Sequence, residues 1–162
     1  YSEVQPIMSE ISTVSDTRFG KAEEHIKRFE KLTGKRIIKS IVEAEPIGPK
    51  KLLDILVIVP CTGNTLAKIA NGITDSCVTM AAKAHMRNRR PLVLAIATND
   101  GLKGNAENIG KLMARENVFF VPIYQDAPEG KQASLAADLD LLSETVKLAA
   151  EGKQIQPIIE EK

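Results

Sequence analysis

The run Ile55-Leu56-Val57-Ile58-Val59 passes at once into Pro60-Cys61-Thr62-Gly63-Asn64-Thr65 and then Leu66-Ala67-Lys68-Ile69-Ala70, and this succession constrains the chain most. Apolar residues without polar alternation predict a strand buried on both faces, as in parallel sheets. The six residues after it predict a short turn, and the pattern beyond predicts a helix. Strand, turn and helix together put backbone N–H groups and Thr and Asn side chains at the carboxyl edge of a sheet. Open α/β folds bind ligands there. A helix start at that edge favours anionic or acceptor-rich groups.

The rest of the chain repeats the alternation. Residues 4–11 predict a strand, and residues 12–16 a turn in which Asp16 or Thr17 caps the next helix. Ala22, Ile26, Phe29 and Leu32 recur at helical spacing over residues 21–32, with Gly34 placed to stop that helix. Ile37, Ile38, Ile41 and Val42 predict a short strand, and Glu45-Pro46-Ile47-Gly48-Pro49 a rigid loop. The helix from Thr65 stops near Asn71-Gly72. A second, capped by Thr74 or Asp75, presents Val78, Ala81, Ala82, His85 and Met86 and ends at Arg87-Asn88-Arg89-Arg90. Residues 91–97 and 118–121 are further strands. Asn105 opens a helix bearing Ile109, Leu112 and Met113, and residues 125–133 form a polar loop. Leu135, Leu139, Leu142, Val146 and Ala149 mark a last helix before Gly152 and an extended tail over 154–159. The expected fold is α/β: one domain with a doubly wound, Rossmann- or flavodoxin-like parallel sheet in a three-layer α/β/α arrangement.

Composition narrows the function. The 22 basic and 21 acidic residues leave a formal net charge of +1, and Trp is absent, which argues against a nucleic-acid surface. The longest apolar runs fall far short of the roughly 20 residues that span a bilayer, and no signal-peptide layout appears; the expectation is a soluble, cytoplasmic protein. Cys61 and Cys77 make no disulfide framework, and with His25 and His85 they make no metal-ligand pattern. The sequence opens at Tyr1 without Met and reads as entered near the start of a strand. That predicts a preceding βα unit on the order of 15–30 residues.

Pro60, Asn64 and Thr65 fall where the homo-oligomeric flavin-containing cysteine decarboxylase superfamily carries its Pro-Ala-Ser-Ala-Asn-Thr signature, and the chain resembles that superfamily from there through Asp75. Five stretches extend the resemblance, to one branch, over the whole chain. They are Thr17-Arg18-Phe19-Gly20, Glu45-Pro46-Ile47-Gly48-Pro49, Met80-Ala81-Ala82-Lys83-Ala84, Ala97-Thr98-Asn99-Asp100 and Gln156-Pro157-Ile158. The resemblance implies bound FMN and assembly as a trimer or a multiple of trimers. The branch implies one component of a two-component synthase in sporulating bacteria, with a second, different polypeptide as obligate partner. That synthase oxidises a small dihydropyridine dicarboxylate to the aromatic pyridine. Two departures argue against decarboxylation of a peptidyl cysteine. Pro46-Ile47-Gly48-Pro49-Lys50 stands where the decarboxylases carry a His, and only Asn99 survives of their Pro-x-Met-Asn segment. The family's opening strand and phosphate-cradling turn have no counterpart in the sequence.

On the resemblance, Thr62, Gly63, Asn64, Thr65, Thr98 and Asn99 are the candidate flavin-binding residues; on spacing alone, Thr62 to Thr65 read equally as a helix cap. Arg18, Lys50 and Lys83 are candidates to grip a substrate carboxylate, each reading also as plain surface charge, and Arg18, in a loop on the ligand edge, is the first of the three. Cys61 reads as a small residue under a tight turn and His85 as a core or interface histidine. No residue stands out as an acid or base. The rival readings are an FMN-dependent decarboxylase of a small acid and a flavin-free component that serves assembly only.

Overall fold

A computed structural model describes residues 3–161; Tyr1 and Ser2, where the sequence reads as entering a strand, lie outside the described residues. The apolar run forms β1 (Leu56–Thr62), parallel to β2 (Leu92–Thr98), with Leu56 opposite Leu92 and Ile58 opposite Leu94. Cys61 then pairs with Ile96, so β1 carries one extra residue. This β-bulge leaves Val59 and Pro60 exposed just before the turn. Along its other edge β2 takes two strands: β3 (Val118–Phe120) in parallel against its first half, and β5 (Leu135–Ala137) antiparallel at its carboxyl end. β4 (Ile123–Tyr124) pairs beyond β5. The fold is flavodoxin-like α/β, and its sheet is mixed because β5 reverses direction.

Seven helices accompany the described strands: α1 (Glu10–Val14), α2 (Ala22–Thr33), α3 (Ile41–Ala44), α4 (Gly63–Ala70), α5 (Cys77–Met86), α6 (Ala106–Met113) and α7 (Leu142–Ala150). Side chains alternate across a strand. Leu92, Leu94 and Ile96 therefore join a large core with Leu66 and Ile69 of α4, Ala81 of α5 and Leu112 of α6. Val93 and Ala95 face the other way, into a smaller cluster with Leu142, Val146 and Ala149 of α7. Helices cover both faces, which is why β2 is apolar at every position from Leu92 to Ile96.

The expected strand at 4–11 is an extended segment bridged only at Ile7 and Ile38, and it turns helical at Glu10. Strand 37–42 contracts to that same bridge. Ser40 Oγ accepts from the Glu43 N–H at 3.3 Å and Glu43 Oε2 from the Lys39 N–H at 2.9 Å, so caps start α3 where the apolar pattern suggested pairing. The loop at 45–49 contains a 3-10 turn, Glu45–Ile47, that buries Ile47. Ser76, not Thr74 or Asp75, caps α5, through a capping box with Thr79. Leu135 belongs to β5 and not to the last helix: the Asp138 carboxylate accepts from the Asp140 N–H at 3.0 Å, which breaks the chain before α7. Met113 is exposed. Gly34 stops α2 at φ 67, as its spacing predicts.

Candidate functional site

β1 and β2 end side by side, and the turns after them meet. Thr62 is both the last residue of β1 and the N-cap of α4. Its hydroxyl accepts from the Thr65 N–H at 3.4 Å and lies 3.2 Å from the Thr65 hydroxyl. The helix-cap reading therefore holds for Thr62. Gly63 sets how closely the turns approach. A Cβ there would stand 2.5 Å from Thr98 Oγ1, 2.7 Å from Asn105 Nδ2 and 3.2 Å from Asp100 Oδ1.

Opposite Gly63, the Thr98 hydroxyl donates to Asp100 Oδ1, and Asn105 Nδ2 donates to the same oxygen at 2.8 Å. The Thr98 hydroxyl first, then the Asn105 amide, hold this carboxyl below the usual carboxylate range. Asn105, itself buried, accepts from Asn108 at 3.0 Å, Asn108 from Asn71 at 3.0 Å, and Asn71 from Lys111 at 3.2 Å. This amide chain runs back from the second turn to the end of α4. Asp100, Asn105 and Asn108 are the residues that sequence reasoning missed. Their only signal was the density of Asn and Asp between residues 99 and 108.

The two turns thus converge, but directly beneath Gly63 the space between them is taken by Thr98, Asp100 and Asn105. What stays open is a rim on which Thr62, Asn64 and Asn99 are exposed. Asn99 Oδ1 accepts from Ser134 Oγ at 3.4 Å, so the second turn is also held by β5's approach. Of the grooves described, one of about 620 Å³ and one of about 470 Å³ are lined by other segments. Arg18 sits in the Thr17–Gly20 turn between α1 and α2, where its guanidinium lies 4.8 Å over the Phe19 ring. That is where the structure places the candidate carboxylate grip: against an aromatic neighbour in its own turn.

The remaining titratable candidates are structural. Cys61 is fully buried, and burial pushes its thiol up to about 12, so it carries no thiolate near neutral pH. Cys77 is also pushed up to about 12, by burial first and by Glu10 second, with Sγ 2.8 Å from the Met8 carbonyl oxygen. His85 is buried with Nε2 2.8 Å from the Pro91 carbonyl, which fixes Nε2–H as the donor. Among the described residues no group of three or more His, Cys, Asp or Glu is placed to hold a metal ion. No helix among them is long and apolar enough to cross a membrane.

The strand ends that carry a Thr-capped helix start and an Asn-bearing turn lie at the carboxyl edge of the sheet, where open α/β folds bind ligands. The chain belongs to the Flavoprotein family, whose model matches residues 3–149. It is 49% identical over 160 residues to the B subunit of dipicolinate synthase from Bacillus subtilis (strain 168), covering 99% of this chain and 80% of that one. The crystal structure of the dipicolinate synthase B subunit from Bacillus halodurans superposes with a TM-score of 0.90 at 45% identity, over 99% of this chain and 82% of that one. The Burkholderia xenovorans DmrB structure in complex with FMN, described as a cubic protein cage for redox transfer, shares the fold. Its TM-score is 0.66 at 18% identity, over 91% of this chain and 81% of that one.

Proposed function

We propose that this chain acts as the B subunit of a dipicolinate synthase, binding FMN at the rim of Thr62, Gly63, Asn64, Thr65, Thr98 and Asn99 and oxidising dihydrodipicolinate to dipicolinate. The A subunit of the same synthase is its partner, and it assembles as a homo-oligomer, a trimer or a multiple of trimers. The observation that carries this reading is the meeting of the two turns at Gly63, taken with similarity to a named B subunit along nearly the whole chain.

The donor set supports the cofactor. The exposed rim residues Thr62, Asn64 and Asn99 offer hydroxyl, amide and backbone groups and no cation. The neighbouring carboxylate, Asp100, is already engaged by Thr98 and Asn105. Such a set suits a neutral, acceptor-rich ring system and not its phosphate. Bound FMN would supply a two-electron acceptor, since aromatising the dihydropyridine releases one hydride equivalent and one proton. The chain's own residues position. Asn64 and Asn99 orient the ring from the two turns, Thr62 and Thr65 hold the start of α4 against it, and the Asp100–Asn105 pair fixes the second turn. Arg18, stacked on Phe19 in the Thr17–Gly20 turn, is the proposed grip on a substrate carboxylate. The mother-cell cytoplasm of a sporulating bacterium is the setting this reaction implies.

One observation favours a rival. The gap beneath Gly63 is filled by the protein's own side chains, which suits a flavin-free component that keeps the fold for assembly without the chemistry. The visible spectrum of the full-length protein, purified with FMN supplied, separates the two. Flavin absorbance that weakens in Asn64→Ala supports the first reading, and a colourless preparation removes it. Release of carbon dioxide from small acids by the yellow protein would replace oxidation with decarboxylation.

A further inference from the structure

The rim uses none of three stretches that stand out in the sequence: Glu45-Pro46-Ile47-Gly48-Pro49, Met80-Ala81-Ala82-Lys83-Ala84 and Arg87-Asn88-Arg89-Arg90. The fold brings them together at the opposite pole of the sheet. Leu53 comes shortly before β1, and Arg90 and Pro91 directly precede β2, so this pole is the amino-terminal edge. Strands of 7 residues at about 3.3 Å each put it about 20 Å from Thr62 and Thr98. Two segments are locked together here. Asn88 Nδ2 donates to the Gly48 carbonyl at 2.8 Å, and the Arg90 guanidinium donates to the Lys51 carbonyl at 3.1 Å and to that of Leu53. Gly48 is buried against α5: a Cβ there would stand 2.8 Å from the Ala84 carbonyl oxygen.

What this framework presents is positive charge. Lys50, Lys51, Lys83, Arg87 and Arg89 are all exposed, and among the described residues none of them is in an ion pair. Over residues 45–54 and 83–91 six cations stand against two acids, Glu45 and Asp54, in a chain of formal net charge +1. Asp54 is taken by Arg90 at 3.2 Å. Arg87, at the end of α5, answers the helix dipole, but Lys50 and Lys51 belong to another segment and have no such role. Two of these cations also hold a backbone that side chains rarely adopt: φ is 49 at Lys51 and 56 at Arg89. Glycine serves such turns with less strain. At both points the chain carries a cation instead.

We infer that this cationic platform is the docking surface for an acidic face of the A subunit, an occupant that rests on the function proposed above. None of the exposed cations lines either groove described, so they stand on open surface. Small ligands are held in concave sites, whereas an open, preorganised set of like charges suits a macromolecular partner of opposite charge, whose approach it steers. Neither segment carries Phe, Tyr or Trp on which a nucleic-acid base could stack. Docking at this pole leaves the rim at the other edge of the sheet uncovered.

The test measures binding of the purified A subunit to this chain between about 0.05 and 0.3 M salt. Binding is expected to weaken as salt rises. Lys50→Glu with Arg87→Glu should raise Kd about 10-fold or more, whereas Arg28→Glu with Lys31→Glu, exposed cations of α2, should leave it unchanged. Lys51→Gly with Arg89→Gly separates docking from folding. It should raise Kd at least about 3-fold while the unfolding temperature holds or rises, because glycine relieves both left-handed turns. Every variant should keep the visible spectrum of wild type. Equal Kd for wild type and Lys50→Glu with Arg87→Glu overturns the surface and leaves the A subunit as partner. A chain that takes up FMN but ignores the A subunit even at the lowest salt overturns the docking and leaves the flavin site standing. Tighter binding of a DNA oligonucleotide than of the A subunit at about 0.15 M salt overturns it as well, in favour of nucleic acid.

Discussion

A methyl group at Gly63 would meet Thr98 Oγ1 at 2.5 Å and Asn105 Nδ2 at 2.7 Å, so Gly63→Ala forces the two turns apart. Neither contact yields freely, because Asp100 holds Thr98 and Asn105 together. The expected loss is about 1–3 kcal/mol in denaturant unfolding, and with it flavin affinity; wild-type stability in Gly63→Ala would show that the turns do not pack as described. A second residue makes a statement about pH. Burial first of all lowers the pKa of His85, and its Nε2–H is committed to Pro91. The unfolded chain binds the proton at its ordinary value near about 6.5, the folded chain only at lower pH. His85 therefore costs nothing above that value, and stability is lost as pH falls from about 6.5 through the folded pKa. Urea unfolding between neutral pH and pH 5 should show this slope in wild type and a flatter one in His85→Gln.

At the scale of elements, short polar devices decide where the chain turns. Ser76 and Thr79 form a reciprocal cap that starts α5, with Thr79 fully packed beneath it. Ser76→Ala should cost about 1 kcal/mol, and Thr79→Ala more, since Thr79 also loses core contact; equal unfolding midpoints for Ser76→Ala and wild type would count against the cap. Such devices also mark how much the sequence discloses. β1, β2 and the helices after them were legible because burial on both faces leaves unbroken apolar runs and because Gly34 and Asn71-Gly72 punctuate the helices. α3 and β5 were not. Ile41 and Val42 carry strand propensity that the Ser40 and Glu43 caps override, and Leu135 continues the spacing of α7 although it pairs with Thr98. The site divides the same way. Thr62 to Thr65 stand out because they come directly after a strand, whereas the grip of Asp100 and Asn105 on Gly63 is made by residues far along the chain. Arg18 is signalled only by its loop, and the loop belongs to the α1–α2 junction.

The molecule as a whole is unevenly anchored. β2 is buried at every position from Leu92 to Ile96 and borders both cores. α2, though amphipathic, contributes only Ala22 to the buried set, with Phe29 44% and Leu32 72% exposed. Regions with little buried apolar contact open locally, and those at the centre open only with global unfolding. In chain 1–162, native-state hydrogen exchange should therefore give α2 amides an opening free energy at least about 2 kcal/mol below that of the Leu94 amide. Leu94→Ala supplies the control. It removes a fully buried side chain from the larger core and should lower the β2 opening free energy by about 2–5 kcal/mol. The α2 values should stay put, since their opening does not pass through the core. If α2 and β2 amides instead share one opening free energy and fall together in Leu94→Ala, the chain unfolds as a single unit, and α2 is held by contacts stronger than its single buried residue provides.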